Sequence, residues 1–211
     1  CAWGMPSQAF GPMYQPFDGP RRVPRLPGPP YLFMSRIAKV EGGIGEMQVG
    51  TTVEAEYDIP PDAWYFDENG VRTMPFCVLL EAALQPCGWL ASYVGSAAGV
   101  PHDLAFRNLD GTGTLLAELP PDAGRLVTRS KITKISKSAG MIIQAFDVTC
   151  SIEGRPVYEL KTVFGFFPKE ALEAQRGLPI PDAERAALTA PSDESVDLTV
   201  RDGRWFGSGP R

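Results

Sequence analysis

The sequence predicts an α+β domain in which an antiparallel sheet wraps one long apolar helix. Three observations lead there. The run "TMPFCVLLEAALQPCGWLASYVG", residues 73–95, is the longest mainly apolar stretch and reads as a helix buried on most sides. Strand-like segments flank it, two or three before and four after. The last of them alternates, with Tyr158, Leu160, Thr162, Phe164 and Phe166 on one face and Glu159 and Lys161 on the other, the pattern of a strand with one covered side. A helix that is apolar nearly all round is buried most economically by a sheet curved over it.

Taken in chain order, residues 1–31 are rich in Pro and Gly, densest in "PFDGPRRVPRLPGPPY". Proline fixes φ and removes backbone donors, so this reads as an extended lead-in on the domain surface. Residues 32–167 form the domain. Leu32 to Ile59 is strand-like, broken at Gly42-Gly43 and Gly50. The helix is expected over Met74–Ala97, with Pro75 in a first-turn position where its missing N–H is not needed. Strands are expected at Leu104–Leu119, Arg125–Ser136, Met141–Ile152 and Val157–Phe167. Residues 168–211 comprise a short helix in "KEALEAQRG" and a polar, Pro/Ser/Asp-rich tail that reads as a linker. The start, "CAWGMPSQAF", has neither an initiator methionine nor a charged then apolar leader, as in a fragment of something longer.

Composition excludes several classes. A net charge of -5 with no Lys/Arg cluster argues against nucleic-acid binding, which needs a basic face. Glu81, Gln85 and Pro86 interrupt the apolar run, which falls short of the ~20 residues of a bilayer span, so no membrane insertion is expected and the chain reads as soluble. Cys1, Cys77, Cys87 and Cys150 show no C-x-x-C spacing, and the two in the helix read as small buried residues, as in a reduced, cytoplasmic protein. The one histidine, His102 in "GVPHDLAFRN", reads as a loop residue, and no metal site is expected. "GGIG" and "GTGT" lack the strand–loop–helix setting of a phosphate site, and there is no G-x-S-x-G elbow.

Within the helix, Glu81 and Gln85 are four apart and share a face, which Gly88 and Ser92 continue with small residues. Leu80, Leu84, Cys87, Ala91 and Val94 form a second stripe. A carboxylate on an apolar helix is costly to bury unless paired or hydrogen-bonded, a setting that suits general acid or base work. On pattern alone Glu81 serves equally well by reaching solvent or an inter-subunit hydrogen bond. Pro86 removes a helical bond to the Ala82 carbonyl, which invites a kink.

"MPFCVLLEAALQ", with its acid six residues after Pro75 and Gln four after the acid, resembles the start of the central helix in hotdog-fold 3-hydroxyacyl-ACP dehydratases. With "PFDGPRRVPRLPGPPYLFMSRI", "YDIPPDAWYF", "FRNLDGTGTL" and "GMIIQAFDV", residues 10–167 are similar to the dehydratase region of polyunsaturated fatty acid synthases and related iterative polyketide synthases. The resemblance implies a hotdog fold that pairs with a second hotdog, in the same polypeptide or a homodimer. It implies loss of water from a 3-hydroxyacyl thioester carried on the phosphopantetheine of acyl carrier protein, with no further cofactor. Glu81 matches the acid that handles the departing hydroxyl and Gln85 the glutamine that orients it.

The family's base is a His before the helix, in a pattern like His-Phe-x-x-Asp-Pro-x-x-Pro-Gly. Here "WYFDENGVRTMPF" places Tyr65 at the His position and Phe76 at the glycine after Pro75. The resemblance thus implies an N-terminal hotdog that lends its acid to a His on a second hotdog, toward which "DGRWFGSGPR" leads. The N–H groups of Phe76 and Cys77 at the helix start are candidates to bind the thioester carbonyl oxygen, with the Phe76 side chain narrowing the approach. Two alternatives stay open: a non-catalytic hotdog kept as a pairing scaffold or acyl-binding wall, and a thioesterase using the same acid with water.

Overall fold

A computed structural model describes residues 4–67, 69–173, 177 and 180–191. The chain divides into two units, Cys1–Glu173 and Ala174–Arg211. The first contains α1 (Pro6–Phe10), a 3₁₀ helix (Pro12–Asp18), β1 (Arg36–Glu41), β2 (Thr52–Asp58), α2 (Trp64–Asp67) and the long α3 (Phe76–Tyr93). It continues through β3 (Leu104–Leu115), β4 (Arg125–Ser138), β5 (Met141–Ile152), β6 (Arg155–Pro168) and α4 (Lys169–Glu173). The strands form one antiparallel sheet in the order β1-β2-β4-β5-β6-β3, so the chain after α3 crosses to the far edge. This is the expected α+β arrangement, with α3 packed on the inner faces of β2, β4 and β5.

The inner face of the sheet follows the period of two. Tyr158, Leu160, Thr162, Phe164 and Phe166 of β6 are all buried, while Glu159 and Lys161 are exposed. Against the inner face of the sheet α3 sets Val78, Leu79, Ala82, Ala83, Leu90 and Ala91, all buried. A fully buried Leu such as Leu90 contributes about 1.5–3 kcal/mol. Where α3 meets β4 the contact is polar but matched: Cys87 Sγ lies 3.5 Å from Ser130 Oγ. Burial pushes the Cys87 thiol up to about 12, so it is inert.

Several expectations are corrected. The lead-in is not extended throughout: Phe10 at the end of α1 and Tyr14 and Phe17 in the 3₁₀ helix are all buried, with Phe10 5.6 Å from the Trp89 ring. Pro75 is the N-cap of α3 rather than its first helical residue. The helix ends at Tyr93, not Ala97, because Gly95 adopts φ 83° and its N–H turns back to the Ser92 carbonyl. It nevertheless runs through Pro86 as one element. β3 stops at Leu115, since the chain then turns to bury Leu119, whose carbonyl accepts from the Met74 N–H at 2.7 Å. The short helix after β6 is described to Glu173, and the tail read as a linker carries a helix, α5 (Asp182–Thr189), with Asp182 and Glu184 favourably placed in its first turn. "DGRWFGSGPR" lies outside the described residues.

Candidate active site

One face of α3 is left uncovered by the sheet. Cys77 is exposed, and Leu80, Glu81, Leu84 and Gly88 are half-buried. The stripe expected to be buried therefore divides: Leu80 and Leu84 border the open face, while Cys87, Ala91 and Val94 are core. Cys77 is likewise not a buried residue, because its place in the first turn precedes the point where the sheet covers the helix.

Glu81 and Gln85 meet as their spacing predicts. Gln85 is 2% exposed, and its Nε2 donates to Glu81 Oε1 at 3.1 Å and to the Tyr31 carbonyl at 2.8 Å, while its Oε1 accepts from the Phe33 N–H at 2.8 Å. The backbone partners fix the amide orientation, because a flipped amide would face donor to donor and acceptor to acceptor. Gln85 therefore presents a donor, and only a donor, to Glu81. The second carboxylate oxygen, Oε2, has no hydrogen-bond partner among the described residues.

Tyr31 was not singled out from the sequence, yet its backbone completes the Gln85 clamp. Burial raises the Tyr31 phenol above its ordinary value, and the Glu81 charge adds to the shift. The available signal was the aromatic pair Tyr31 and Phe33 at strand spacing; their rings make an edge contact at 4.9 Å.

Tyr65, which the resemblance sets at the position of the family's base, is built quite differently. Tyr65 is 1% exposed, packs edge-on to Phe33 at 6.0 Å and lies 3.1 Å, oxygen to oxygen, from Tyr57. Burial, reinforced by the Tyr57 hydrogen bond, drives its phenol far above the ordinary range.

At the helix start the backbone ladder begins with Val78 and Leu79, whose N–H groups reach the Pro75 carbonyl at 2.9 and 3.1 Å. The N–H groups of Phe76 and Cys77 precede it. The Phe76 ring is 51% exposed and meets Tyr158 edge-on at 5.7 Å. His102 is exposed in a loop, its carbonyl accepting from Arg21 at 2.7 Å. Among the described residues no group of three His, Cys, Asp or Glu side chains is placed to hold a metal, and no helix is long and apolar enough to cross a membrane.

An antiparallel sheet packed on one central helix, with an amide-held acid on the helix's open face, is the arrangement of a hotdog domain. The chain belongs to the FabA-like domain family, whose profile matches residues 26–161. It is 29% identical over 192 residues to a polyunsaturated fatty acid synthase polypeptide of Thraustochytrium sp., a match that covers 90% of this chain and only 12% of that much longer relative. Among solved structures it is similar to the dehydratase heterocomplex ApeI:P from Xenorhabdus doucetiae, with a TM-score of 0.53 and 12% identity over 69% of this chain and 90% of that one. It is also similar to thioesterase HI1161 from Haemophilus influenzae, with a TM-score of 0.43 and 12% identity over 59% of this chain and 76% of that one.

Proposed function

We propose that this domain supplies the acidic half of a composite dehydration site in a fatty acid or polyketide synthase, acting on a 3-hydroxyacyl thioester carried by acyl carrier protein. The carrying observation is that Gln85 fixes one oxygen of Glu81 on an open helix face and leaves the other unpartnered, while the Tyr65 position is sealed in the core. A base removes the α-proton, the C–H electrons form the Cα=Cβ bond, and the Cβ–O bond breaks. The hydroxyl takes a proton from Glu81 Oε2 and leaves as water. The Phe76 and Cys77 N–H groups bind the thioester oxygen as it gains charge.

The base comes from a second hotdog in this reading. β3 supports such pairing: it is an edge strand 12 residues long, exposed from Arg107 onward, with Leu109 and Leu115 each more than 40% exposed, and such an edge is a template for a further strand. In the paired protein, Glu81→Gln keeps the shape and the Gln85 contact but removes the acid. Turnover of a 3-hydroxyacyl carrier thioester is expected to fall by about 10²-fold or more. Unchanged turnover would leave the domain a pairing scaffold.

A further inference from the structure

A mainly apolar cavity of about 260 Å³ lies away from Glu81, beneath the lead-in. Phe10, Val23 and Leu26 line it from the lead-in, Trp89 and Gly88 from α3, and Phe106 from β3. Gly88 is about two turns, roughly 10 Å along the helix axis, from Glu81. Glycine is what keeps the space open: a Cβ there would stand 3.3 Å from Leu26 and 3.5 Å from Phe106, and a longer side chain would enter the cavity.

Arg25 is the only charged residue lining this cavity among the described residues. Its Nη1 donates to the Gly4 carbonyl at 3.0 Å, and Gly4 also lines a second cleft of about 390 Å³ that shares Met5, Pro6, Val23 and Arg25 with the first. The guanidinium therefore sits where the two spaces adjoin. Arg21 and Arg22 also line the second cleft. Arg21 is held by the His102 carbonyl at 2.7 Å, by Asp103 at 3.4 Å and over the Phe17 ring at 4.4 Å. Arg22 is exposed and makes no ion pair among the described residues. The cleft's one acid, Asp18, is engaged by the Ser7 N–H at 3.0 Å. A chain of net charge -5 that read as lacking a basic cluster thus sets Arg25 at the wall of an apolar cavity, with Arg21 and Arg22 in the cleft that adjoins it.

We propose that this is a binding site for a single-chain amphiphile with an anionic head, a long-chain carboxylate, whose tail fills the cavity and whose head pairs with Arg25 and Arg22. Apolar walls with a few charged groups at one end are the usual form of such a site, and the volume of about 260 Å³, just below the ~300–1,000 Å³ range of drug-sized pockets, suits one slender chain. An uncharged tail would use the walls and leave the arginines idle.

The test is calorimetric titration of dodecanoate into the 211-residue chain, below the concentration at which dodecanoate forms micelles, with 1-dodecanol as the uncharged control. Saturable one-site binding is expected, weakened about tenfold in Arg22→Gln/Arg25→Gln, with dodecanol weaker by a similar factor and insensitive to that change. Gly88→Leu should abolish binding of both while still melting cooperatively. The two arginines are exposed, so their variant remains informative if Gly88→Leu fails to fold. Non-saturating uptake, equal affinity for dodecanol, or unchanged dodecanoate affinity in the arginine variant would overturn the proposal.

Discussion

Two stations on this domain, Glu81–Gln85 and Tyr65, on which the proposed half-site turns, are built in opposite ways. At Glu81–Gln85 a polar pair is kept on the rim of an apolar helix and clamped by the backbone of Tyr31 and Phe33. At Tyr65 a polar tip is withdrawn into an aromatic cluster and satisfied by Tyr57. Burial with a local partner stabilises a fold, whereas partial exposure with one carboxylate oxygen left free keeps that oxygen available. In the proposed reading the acid is kept available while the Tyr65 position is given over to the core.

The comparison can be broken most severely at Gln85. Gln85→Leu removes three hydrogen bonds at once and strands the Phe33 N–H in the interior. A loss of about 2–4 kcal/mol in urea unfolding is expected, because an unpaired buried group forfeits its solvation. A change below about 0.5 kcal/mol would mean the clamp is dispensable. At the other station, Tyr65→Phe removes only the bond to Tyr57 and should cost about 1 kcal/mol. Turnover of the paired protein should stay within about twofold; a drop of about 10²-fold would assign chemistry to what is otherwise a core residue.

Away from both stations an electrostatic effect is expected to be smaller still. Arg36, and then Arg125, hydrogen-bond Asp58 and lower its carboxyl from 3.8 to about 2. A folded-state value below the ordinary one contributes stability that is present above about pH 4 and lost as pH falls through 2. Asp58→Asn should therefore be slightly less stable than the parent near neutrality, and the gap should close in acid. All three side chains are well exposed, so a gap that persists at pH 2 would point to packing rather than charge.

Local patterns made much of this legible. β5 runs over Met141–Ile152 as its flanking turns indicate, and the buried face of β6 is the one its alternation marks. The Glu81–Gln85 contact follows from helical spacing alone. What escaped depends on residues far apart in the chain. Gln85 reaches Phe33 across 52 positions, which no periodicity within the helix encodes. The burial of Phe10, Tyr14 and Phe17 was hidden because proline density marks an extended segment, and two short helices broken at Gly11 carry no long periodic pattern. Cys77, Leu80 and Leu84 read as core because the pattern marks them apolar without saying which face the sheet leaves open.

The most direct test of the half-site reading is turnover of a 3-hydroxyacyl carrier thioester by this chain alone and again with a second, His-bearing hotdog from the same synthase. No dehydration is expected from the chain alone, dehydration is expected when the two are combined, and it should be lost in the combination carrying Glu81→Gln. Dehydration by the chain alone, or equal rates with and without the Glu81 carboxyl, would contradict a site divided between two hotdogs.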